Sequence, residues 1–362
     1  MIGVSAAAAE LIETRSYSTF LAVESWRGGE LLADDVPTSA ASEESDRSLQ
    51  VPERVTLTVP RRDRGVSWSP VADDSPLAAN GQLLRVQLGV GLAGSQVEYF
   101  QRGWFVIQES EVSGDDVSIS AVGMLTLIDE ARLVSPYQPS STLASTLRGL
   151  IEPALTVNID AALLDRAVPG GINYDEDRLG AVYELLDAWP ADIRTTEDGY
   201  LSVTAPAGSS APVRSLTNGV GGTIVQATGH STRESGYNAV VARGTMADGT
   251  QIQSVTFATS DGPKGYGGPF NPLPVPYFFE SPLLTTVAQC KAASVTIMAR
   301  LQRQSAARTF EIECVPDGRL QAGDVVTVTT DDWTDLDCSI ESLTLPYRAD
   351  GGAQTLRVRS LT

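Results

Sequence analysis

The residue types that most often carry enzyme chemistry are scarce in this chain. His230, in Thr228-Gly229-His230-Ser231, is the single histidine, and the three cysteines are Cys290, Cys314 and Cys338. Cysteine peptidase chemistry needs a thiolate beside a histidine, and none of these cysteines lies in a nucleophile motif. Cys290 and Cys314 fall on the apolar faces of a predicted helix and a predicted strand, where cysteine behaves as a small hydrophobe. We therefore predict no catalytic residues, no disulfide framework and no zinc site.

Acidic and glycine-rich segments give equally weak signals for a binding site. Hydrolysis of a glycan needs two carboxylates with separated pKa values, but 45 acidic residues offer many such pairs by chance. Asp331 to Asp337 has oxygen ligands for calcium, yet it lacks the central glycine and the final glutamate of an EF-hand loop. Gly219 to Thr223 has the spacing of neither a dinucleotide fingerprint nor a phosphate loop. We predict no cofactor and no metal site, with an acidic hairpin turn at Asp331 to Asp337 and a linker at Gly219 to Thr223.

Composition is that of a folded soluble protein. The 362 residues suggest two to three domains, with 42% hydrophobic and 20% charged residues. Lys and Arg total 26 against 45 Asp and Glu, and 26 − 45 gives a net charge of −19. Such a surface repels nucleic acid, because phosphate contacts depend on positive charge. No apolar run approaches the ~18 residues of a membrane span, so no stable membrane insertion is expected, and the start lacks the basic region of a signal peptide.

Period-two alternation predicts a first β-domain over residues 1–135. Val55, Leu57 and Val59 alternate with polar residues, as do the apolar residues from Leu84 to Val90. Ser113-Gly114-Asp115-Asp116 predicts a hairpin turn.

Residues 136–205 change to a helical period and predict an α+β insert. Leu143, Leu147, Leu150 and Ile151 fit one helix, and the apolar residues from Leu179 to Trp189 fit a second. A strand at 200–203 follows, and the Pro- and Ala-rich segment 205–212 predicts a linker.

Residues 206–362 predict a second β-domain with one packed helix. Tyr237 to Gly244 and Ser254 to Thr259 read as strands around a turn at Asp248-Gly249, and later strands are predicted at 310–314 and 325–329. Ser281-Pro282 predicts the start of a helix over about 282–304. The stripe expected to pack on the domain is Leu283, Val287, Cys290, Ile297 and Leu301, with Gln289, Thr296, Arg300 and Arg303 on the polar side.

Three segments are expected to lie on the surface as loops. Ser39 to Arg47 is polar and acidic, and Arg61 to Arg64 with Trp68 is basic; such loops contact partners or stay mobile. The third segment begins with an extended loop at Asp261 to Pro272. It carries an aromatic cluster for which two interpretations stay open, interface anchors or packing on the chain's own domain: Tyr266, Phe270, Tyr277, Phe278 and Phe279.

The order of these elements resembles that of the hub proteins of bacteriophage tail tips and baseplates. The segments that carry the resemblance are Tyr237-Asn238-Ala239-Val240-Val241, Ser281-Pro282-Leu283-Leu284-Thr285-Thr286 and Leu320-Gln321-Ala322-Gly323-Asp324-Val325-Val326. The hairpin after Gly103-Trp104-Phe105-Val106-Ile107 is similar to one that closes the first tube-like domain in that family. The relatives are the hub of contractile tails and the N-terminal hub region of siphophage tail-associated proteins.

The resemblance implies a mainly β fold with two tail-tube-like β-barrel domains around the α+β insert. It also implies a virion structural protein, made in the host cytoplasm, that forms a homotrimer whose six barrels present a pseudo-sixfold face to a sixfold tail. Expected partners are the distal tail protein, the tail tube protein, the tape measure protein and tail fibre or spike proteins. We expect acidic side chains of the barrels to line a lumen through which DNA passes without specific binding.

The sequence leaves rival functions open. They are a tail-associated cell-wall hydrolase, a carbohydrate-binding receptor module and a hexameric distal tail ring subunit. A receptor module would bind sugar as an isolated protein, whereas a hub would trimerise or assemble with tail partners.

Overall fold

The computed structural model describes residues 1–14, 17–139, 141–168, 171–189, 191–205, 211–230, 236–246, 248–259, 264–306, 308–348 and 351–361. The predicted linker at 205–212 and the predicted loop at 261–272 lie partly outside these ranges. Within them the fold is mainly β, as predicted, with five α-helices.

The strands and helices have the following bounds. The strands of the N-terminal region are β1 (Thr19–Arg27), β2 (Glu30–Ala33), β3 (Ala40–Asp46), β4 (Glu53–Pro60), β5 (Arg62–Asp63), β6 (Val66–Ser67), β7 (Gln82–Gly91), β8 (Val97–Ser113) and β9 (Asp116–Gly123). Those of the middle region are β10 (Val157–Ile159), β11 (Asp192–Thr195) and β12 (Leu201–Thr204). Those of the C-terminal region are β13 (Arg214–Thr217), β14 (Ile224–His230), β15 (Ala239–Thr245), β16 (Gln251–Phe257), β17 (Pro276–Glu280), β18 (Thr309–Cys314), β19 (Val325–Thr329), β20 (Leu336–Pro346) and β21 (Gln354–Ser360). The helices are α1 (Ala6–Thr14), α2 (Thr126–Glu130), α3 (Leu143–Ile151), α4 (Arg178–Ala188) and α5 (Val287–Ala306).

A 13-stranded sheet, called the main sheet below, joins the N-terminal and C-terminal regions. Its strand order is β14-β18-β21-β20-β3-β4-β9-β8-β7-β1-β2, and β19 pairs with both β20 and β13. The two regions meet where β20 pairs antiparallel with β3, from Ser342 opposite Asp46 to Pro346 opposite Ser42. The sheet is therefore continuous between residues 1–135 and 206–362, and the division into domains at those boundaries stays a prediction.

One face of the main sheet packs into a single apolar core. The predicted alternation in β4 is confirmed, since Val55, Leu57 and Val59 are fully buried while the residues between them face outward. Ala8 and Ile12 of α1 are buried in the same core, so this helix covers part of the apolar face.

The insert contains both predicted helices and a small sheet of order β10-β12-β11. Helix α3 begins with a capping box, because Thr142 and Ser145 each accept a hydrogen bond from the other's backbone N–H. Helix α4 begins at the Asp177 carboxylate, which accepts from the backbone N–H of Gly180 at 3.0 Å. The two helices bury an apolar stripe against each other and against the small sheet: Leu147, Leu150, Val182, Leu185, Leu201 and Val203.

A separate three-stranded sheet carries helix α5. Strand β15 lies in the middle, antiparallel to β16 and parallel to β17. The turn predicted at Asp248-Gly249 is confirmed, with Gly249 at a φ of 85°. Helix α5 packs on this sheet, and Ile297 and Leu301 lie against Val240. Asn238, which precedes β15, holds the next connection, because its Oδ1 accepts from the backbone N–H of Val275 at 2.6 Å.

The predicted start of this helix and one of its contacts are wrong. The helix begins at Val287, not Pro282, because Thr286 and Gln289 form the cap: Thr286 Oγ1 accepts from the Gln289 N–H at 3.2 Å, and Gln289 Oε1 accepts from the Thr286 N–H at 3.1 Å. Ser281 instead begins a turn. Val287 is the first helical residue and its side chain is 50% exposed, so it does not pack as expected. The predicted packing of Cys290, Ile297 and Leu301 on the three-stranded sheet is confirmed. Leu283 is also buried, but it precedes the helix and packs in the core of the insert. The Arg303 side chain lies outside the described residues.

Two predicted loops contain regular structure. Ser39 to Arg47 is mostly strand β3, in the centre of the main sheet, and Arg61 to Trp68 contains the short hairpin β5–β6. Strand β3 has no apolar alternation for a sequence pattern to detect; its pairing with β4 and β20 makes it a strand. The aromatic segment is also partly a strand, β17, in which Tyr277 and Phe279 face the core of the three-stranded sheet while Phe278 is exposed.

Candidate functional site

The outward face of the main sheet is polar and continuous from β14 to β9. Period-two geometry puts the side chains between the buried apolar residues on this face. It carries Gln226, Thr228, Glu311, Glu313, Thr355, Arg357, Ser342, Thr344, Ser42, Glu44, Arg54, Thr56, Thr58, Ser118 and Ser120, none of them buried. Serine, threonine and glutamate dominate, and the face crosses the join between the two regions of the chain without a break.

Two of the arginines on this face are paired with carboxylates. Arg357 lies 3.4 Å from Asp46, across the join between β21, β20 and β3, and Arg359 lies 2.7 Å from Glu341. These exposed pairs add little stability. Their effect is on the charge of the face, because each neutralises a group that would otherwise attract phosphate.

Two edge strands of the main sheet, β14 and β2, expose apolar side chains; β13, which pairs only with β19 among the described residues, is a third edge. Within the described residues, β14 and β2 each pair on one side only. Val225 of β14 is 67% exposed, Leu31 of β2 is 44% exposed, and Phe20 of the neighbouring β1 is 41% exposed. Exposed edges normally carry charges or prolines that prevent pairing with another chain. Apolar residues at both edges instead favour strand addition from a neighbouring molecule.

A buried ion pair holds the join between the two regions. Arg102 of β8 donates to Glu43 of β3 through Nε at 2.9 Å and Nη2 at 2.7 Å, and its Nη1 donates to the carbonyls of Gly318 and Leu320. The Tyr347 hydroxyl, just after β20, donates to the same carboxylate. Burial acts to lower the pKa of Arg102, but the Glu43 charge outweighs it and the net shift is upward. For Tyr347, burial has the opposite effect and raises the pKa of the hydroxyl well above its ordinary value.

A second buried cluster holds helix α1 against the C-terminal region. Arg319 donates to Asp317 at 2.8 Å and to Glu13 of α1 at 3.1 Å, and Arg214 of β13 lies 3.4 Å from the same Glu13. The two clusters together tie the N-terminal region to the segment between β18 and β19.

The structure separates the residues that could have formed a nucleophile–base pair. His230 lies at one end of the β14–β18 ladder, opposite Thr309, and Cys314 at the other, opposite Ile224. Five residues of strand put about 17 Å between them. Burial raises the pKa of the Cys314 and Cys338 thiols to about 12, so both stay protonated at neutral pH. Cys290 is buried on the side of α5 that faces the three-stranded sheet.

The acidic segment Asp331 to Asp337 connects β19 to β20 and is a hairpin turn, as predicted. Two of its carboxylates are engaged by strand β19: Asp337 accepts from Thr327 Oγ1 at 2.7 Å, and Asp335 accepts from Thr329 Oγ1 at 3.1 Å. Gly219 to Thr223 connects β13 to β14 and has Gly219 and Gly221 at positive φ, as expected of a turn-rich linker.

Sequence reasoning missed the residues of the join. The sequence predicts a loop around Glu43, Arg102 belongs to no motif, and Tyr347 lies outside every predicted element. A charged residue among apolar strand neighbours, as at Arg102, is the one local signal of a buried pair. Nothing local to Glu43 identifies it as the partner.

Comparison with solved structures places this fold among phage tail proteins. A tail protein from Neisseria meningitidis has a TM-score of 0.66 at 14% identity, with 94% of this chain and 96% of that chain covered. The 43 kDa tail protein of prophage MuSo2 from Shewanella oneidensis gives 0.63 at 12% identity, covering 94% and 98%. A prophage tail protein from Listeria monocytogenes gives 0.57 at 13% identity, covering 93% and 94%.

The chain thus has the fold of phage tail proteins over nearly its full length, which confirms the predicted resemblance at the level of fold. No protein-family model matches the chain, and no curated protein matches it in sequence.

Proposed function

We propose that the chain is the structural hub of a phage tail tip, located in the virion after synthesis in the host cytoplasm. Three copies form a ring that joins the tail tube and the distal tail protein to the fibre or spike proteins, holds the end of the tape measure protein and gates DNA passage. The observation that carries this proposal is the continuous main sheet, whose edge strands β14 and β2 expose apolar side chains. Its N-terminal and C-terminal parts act as two tube-like barrel domains joined through β3 and β20.

The open edges give the ring its geometry. Strand β14 of one copy pairs with β2 and β1 of the next, which makes a heterologous interface, and such interfaces close into a ring when the rotation permits. Two tube-like domains per copy give six similar units for three copies. This arrangement matches a sixfold tail, whereas one domain per copy would need a hexamer.

The polar face of the main sheet lines the lumen in this arrangement. Serine, threonine and carboxylate side chains predominate on this face, and Arg357 and Arg359 are held by Asp46 and Glu341. Arg54 of β4 is exposed on the same face, opposite Glu44 of β3. Because the carboxylates of this face repel phosphate, we expect DNA to pass with little of the salt-dependent adhesion that a basic face would cause. Helix α5 packs on the three-stranded sheet, and its Arg300 lies 3.4 Å from Asp187 of the insert, which is consistent with a position outside the lumen.

A role without catalysis fits the site. The nucleophile and base candidates lie far apart, and both thiols with pKa values near 12 are protonated.

Among the described residues, no helix is both long and apolar enough to cross a membrane.

Edge variants test the ring directly in solution. Sedimentation equilibrium of the purified chain should give three copies. Val225→Lys on β14 and Leu31→Lys on β2 should each give monomers, and an equal mixture of the two should give heterodimers, because one intact edge remains on each variant. Leu164→Lys, on the exposed surface of the insert, is the matched control and should leave the trimer unchanged. Six copies would favour the distal ring subunit, and a trimer insensitive to both edge variants would overturn the proposed interface.

A further inference from the structure

A small cavity lies where the insert meets the main sheet. Its volume is about 50 Å³. The walls come from three parts of the chain: Glu43, Glu53 and Arg102 from the main sheet, Arg194 and Thr195 from the insert, and Gln321 from the segment before β19. A change of charge inside the cavity therefore acts on the contact between the insert and both regions of the sheet.

The Glu53 carboxyl in this cavity forms no ion pair with the described residues. Its side chain lies on the inward face of β4, beside Ser45 of β3. Its Oε2 is enclosed and accepts no hydrogen bond from the described residues. The atom lies so close to Gly123 that a methyl group there would meet it at 2.3 Å, so the position of the carboxylate is fixed by packing. Thr195 Oγ1, on the insert wall, is likewise enclosed without a partner in the described part of the chain.

The charged groups around Glu53 do not favour its ionised form. Glu43 of β3 has the same sign of charge, and Arg102 of β8 is committed to Glu43. Arg194 of β11 donates to Gln321 Oε1 at 3.4 Å. From α4, Tyr183 faces Glu53 but donates its hydroxyl to the carbonyl of Gln50 at 2.6 Å. The neighbouring position on β9 is Gly123, which carries no charge.

We propose that Glu53 is a proton-sensitive contact that holds the insert on the main sheet when it is protonated and loosens strand β11 from the sheet when it is ionised. Ionisation places an unpaired charge beside Glu43, and it is relieved when Arg194 turns toward Glu53 or when solvent enters. Arg194 and Thr195 of β11 form one wall of the cavity, so we expect either change to act on this strand. The inference concerns a single chain and does not depend on the hub proposal.

The pH range follows from the burial of this carboxyl. Burial raises the pKa of Glu53 from 4.5 to about 7, and the charge of Glu43 adds to the increase, while a hydrogen bond from its own backbone opposes it. Because the pKa is higher in the closed state, the contact is intact at acidic pH. It weakens as the pH rises from about 4.5 through about 7.

Hydrogen–deuterium exchange at β11 tests the proposal. Protection factors of the amides of residues 192–195, corrected for the intrinsic pH dependence of exchange, should fall between pH 5.5 and pH 8.5. A pKa that returns from about 7 to 4.5 on opening limits the fall over this pH range to about 30-fold, because the first part of the roughly 300-fold total lies below pH 5.5; we expect a fall of at least tenfold. Glu53→Gln should keep the protection at pH 8.5 that the native chain has at pH 5.5. Glu184→Gln, which removes another partly buried carboxyl of raised pKa on α4, should keep the native pH dependence.

A titration of the native chain keeps the proposal testable if Glu53→Gln does not fold. With ¹³C-labelled glutamate, one carboxyl resonance should titrate near pH 7 in step with the loss of protection. Protection that does not change with pH would overturn the proposal, as would a Glu53→Gln variant with the native pH dependence or no glutamate that titrates near pH 7. Oligomeric state is measured in the same samples, so failure of the ring is distinguished from failure of the contact.

Discussion

Replacing Arg102 by leucine should destabilise the join between the two regions of the main sheet much more than removing an exposed ion pair does. Arg102 and Glu43 have side chains only 2% and 5% exposed. The substitution removes both hydrogen bonds to Glu43 and the donors to the carbonyls of Gly318 and Leu320. The Glu43 carboxylate is then buried with the Tyr347 hydroxyl as its remaining donor.

The expected cost follows from this geometry. Removing one partner of a buried ion pair destabilises a protein by about 3–5 kcal/mol, because an uncompensated charge stays inside. Total stability is commonly about 5–15 kcal/mol, so urea unfolding should show a large fall in midpoint. Arg148→Leu is the matched control, since its pair with Glu152 is 43% and 40% exposed and should contribute only about 0.3–0.5 kcal/mol.

A double variant separates the charge effect from a loss of packing. Glu43→Leu together with Arg102→Leu removes both charges, and replacing a buried pair by apolar residues is often close to neutral. The double variant should therefore be more stable than Arg102→Leu alone. If Arg102→Leu costs no more than Arg148→Leu, the buried pair does not stabilise the join and the reasoning is wrong.

Three further predictions concern the helix, a thiol and the cavity. Ile297→Asp should lower stability by several kcal/mol because it buries an unpaired charge, whereas Val287→Asp should change it by less than about 1 kcal/mol because that side chain is half exposed; thermal melts distinguish them. Cys314 should resist a thiol reagent at pH 8 in the folded chain and react in urea, because burial raises its pKa to about 12; equal rates in both conditions would contradict this. Glu53→Gln should stabilise the chain at pH 8 by up to about 3 kcal/mol, from a pKa raised from 4.5 to about 7 at 1.36 kcal/mol per pKa unit, and give no gain at pH 4; urea midpoints at both pH values measure the difference.

The sequence predicts those elements whose own apolar residues have the spacing of a buried strand face or a buried helix face. In strand β4, the apolar residues Val55, Leu57 and Val59 alternate with polar residues, and in helix α3 the apolar residues have helical spacing. These patterns predict both elements. The hairpin turns at Gly114 and Gly249 were recognised because a positive φ favours glycine.

Strand β3 shows what local patterns cannot reveal. Its residues, from Ala40 to Asp46, include five polar or acidic side chains and read as a loop. The strand forms because β4 and β20 satisfy its backbone hydrogen bonds, and because Glu43 finds Arg102, 59 residues away in the chain. The helix start was misplaced for a related reason, since Ser281-Pro282 and Thr286 with Gln289 are both plausible caps and tertiary packing selects the second.

The count of copies at the tail tip tests the central proposal most directly. A symmetric reconstruction of the assembled particle should show three copies of the chain, with β14 of each copy beside β2 and β1 of the next and with Glu44, Glu311 and Glu313 facing the axis. Six or twelve copies would contradict the hub proposal, and a trimer with Arg300 facing the axis and the acidic face outside would contradict the account of the lumen.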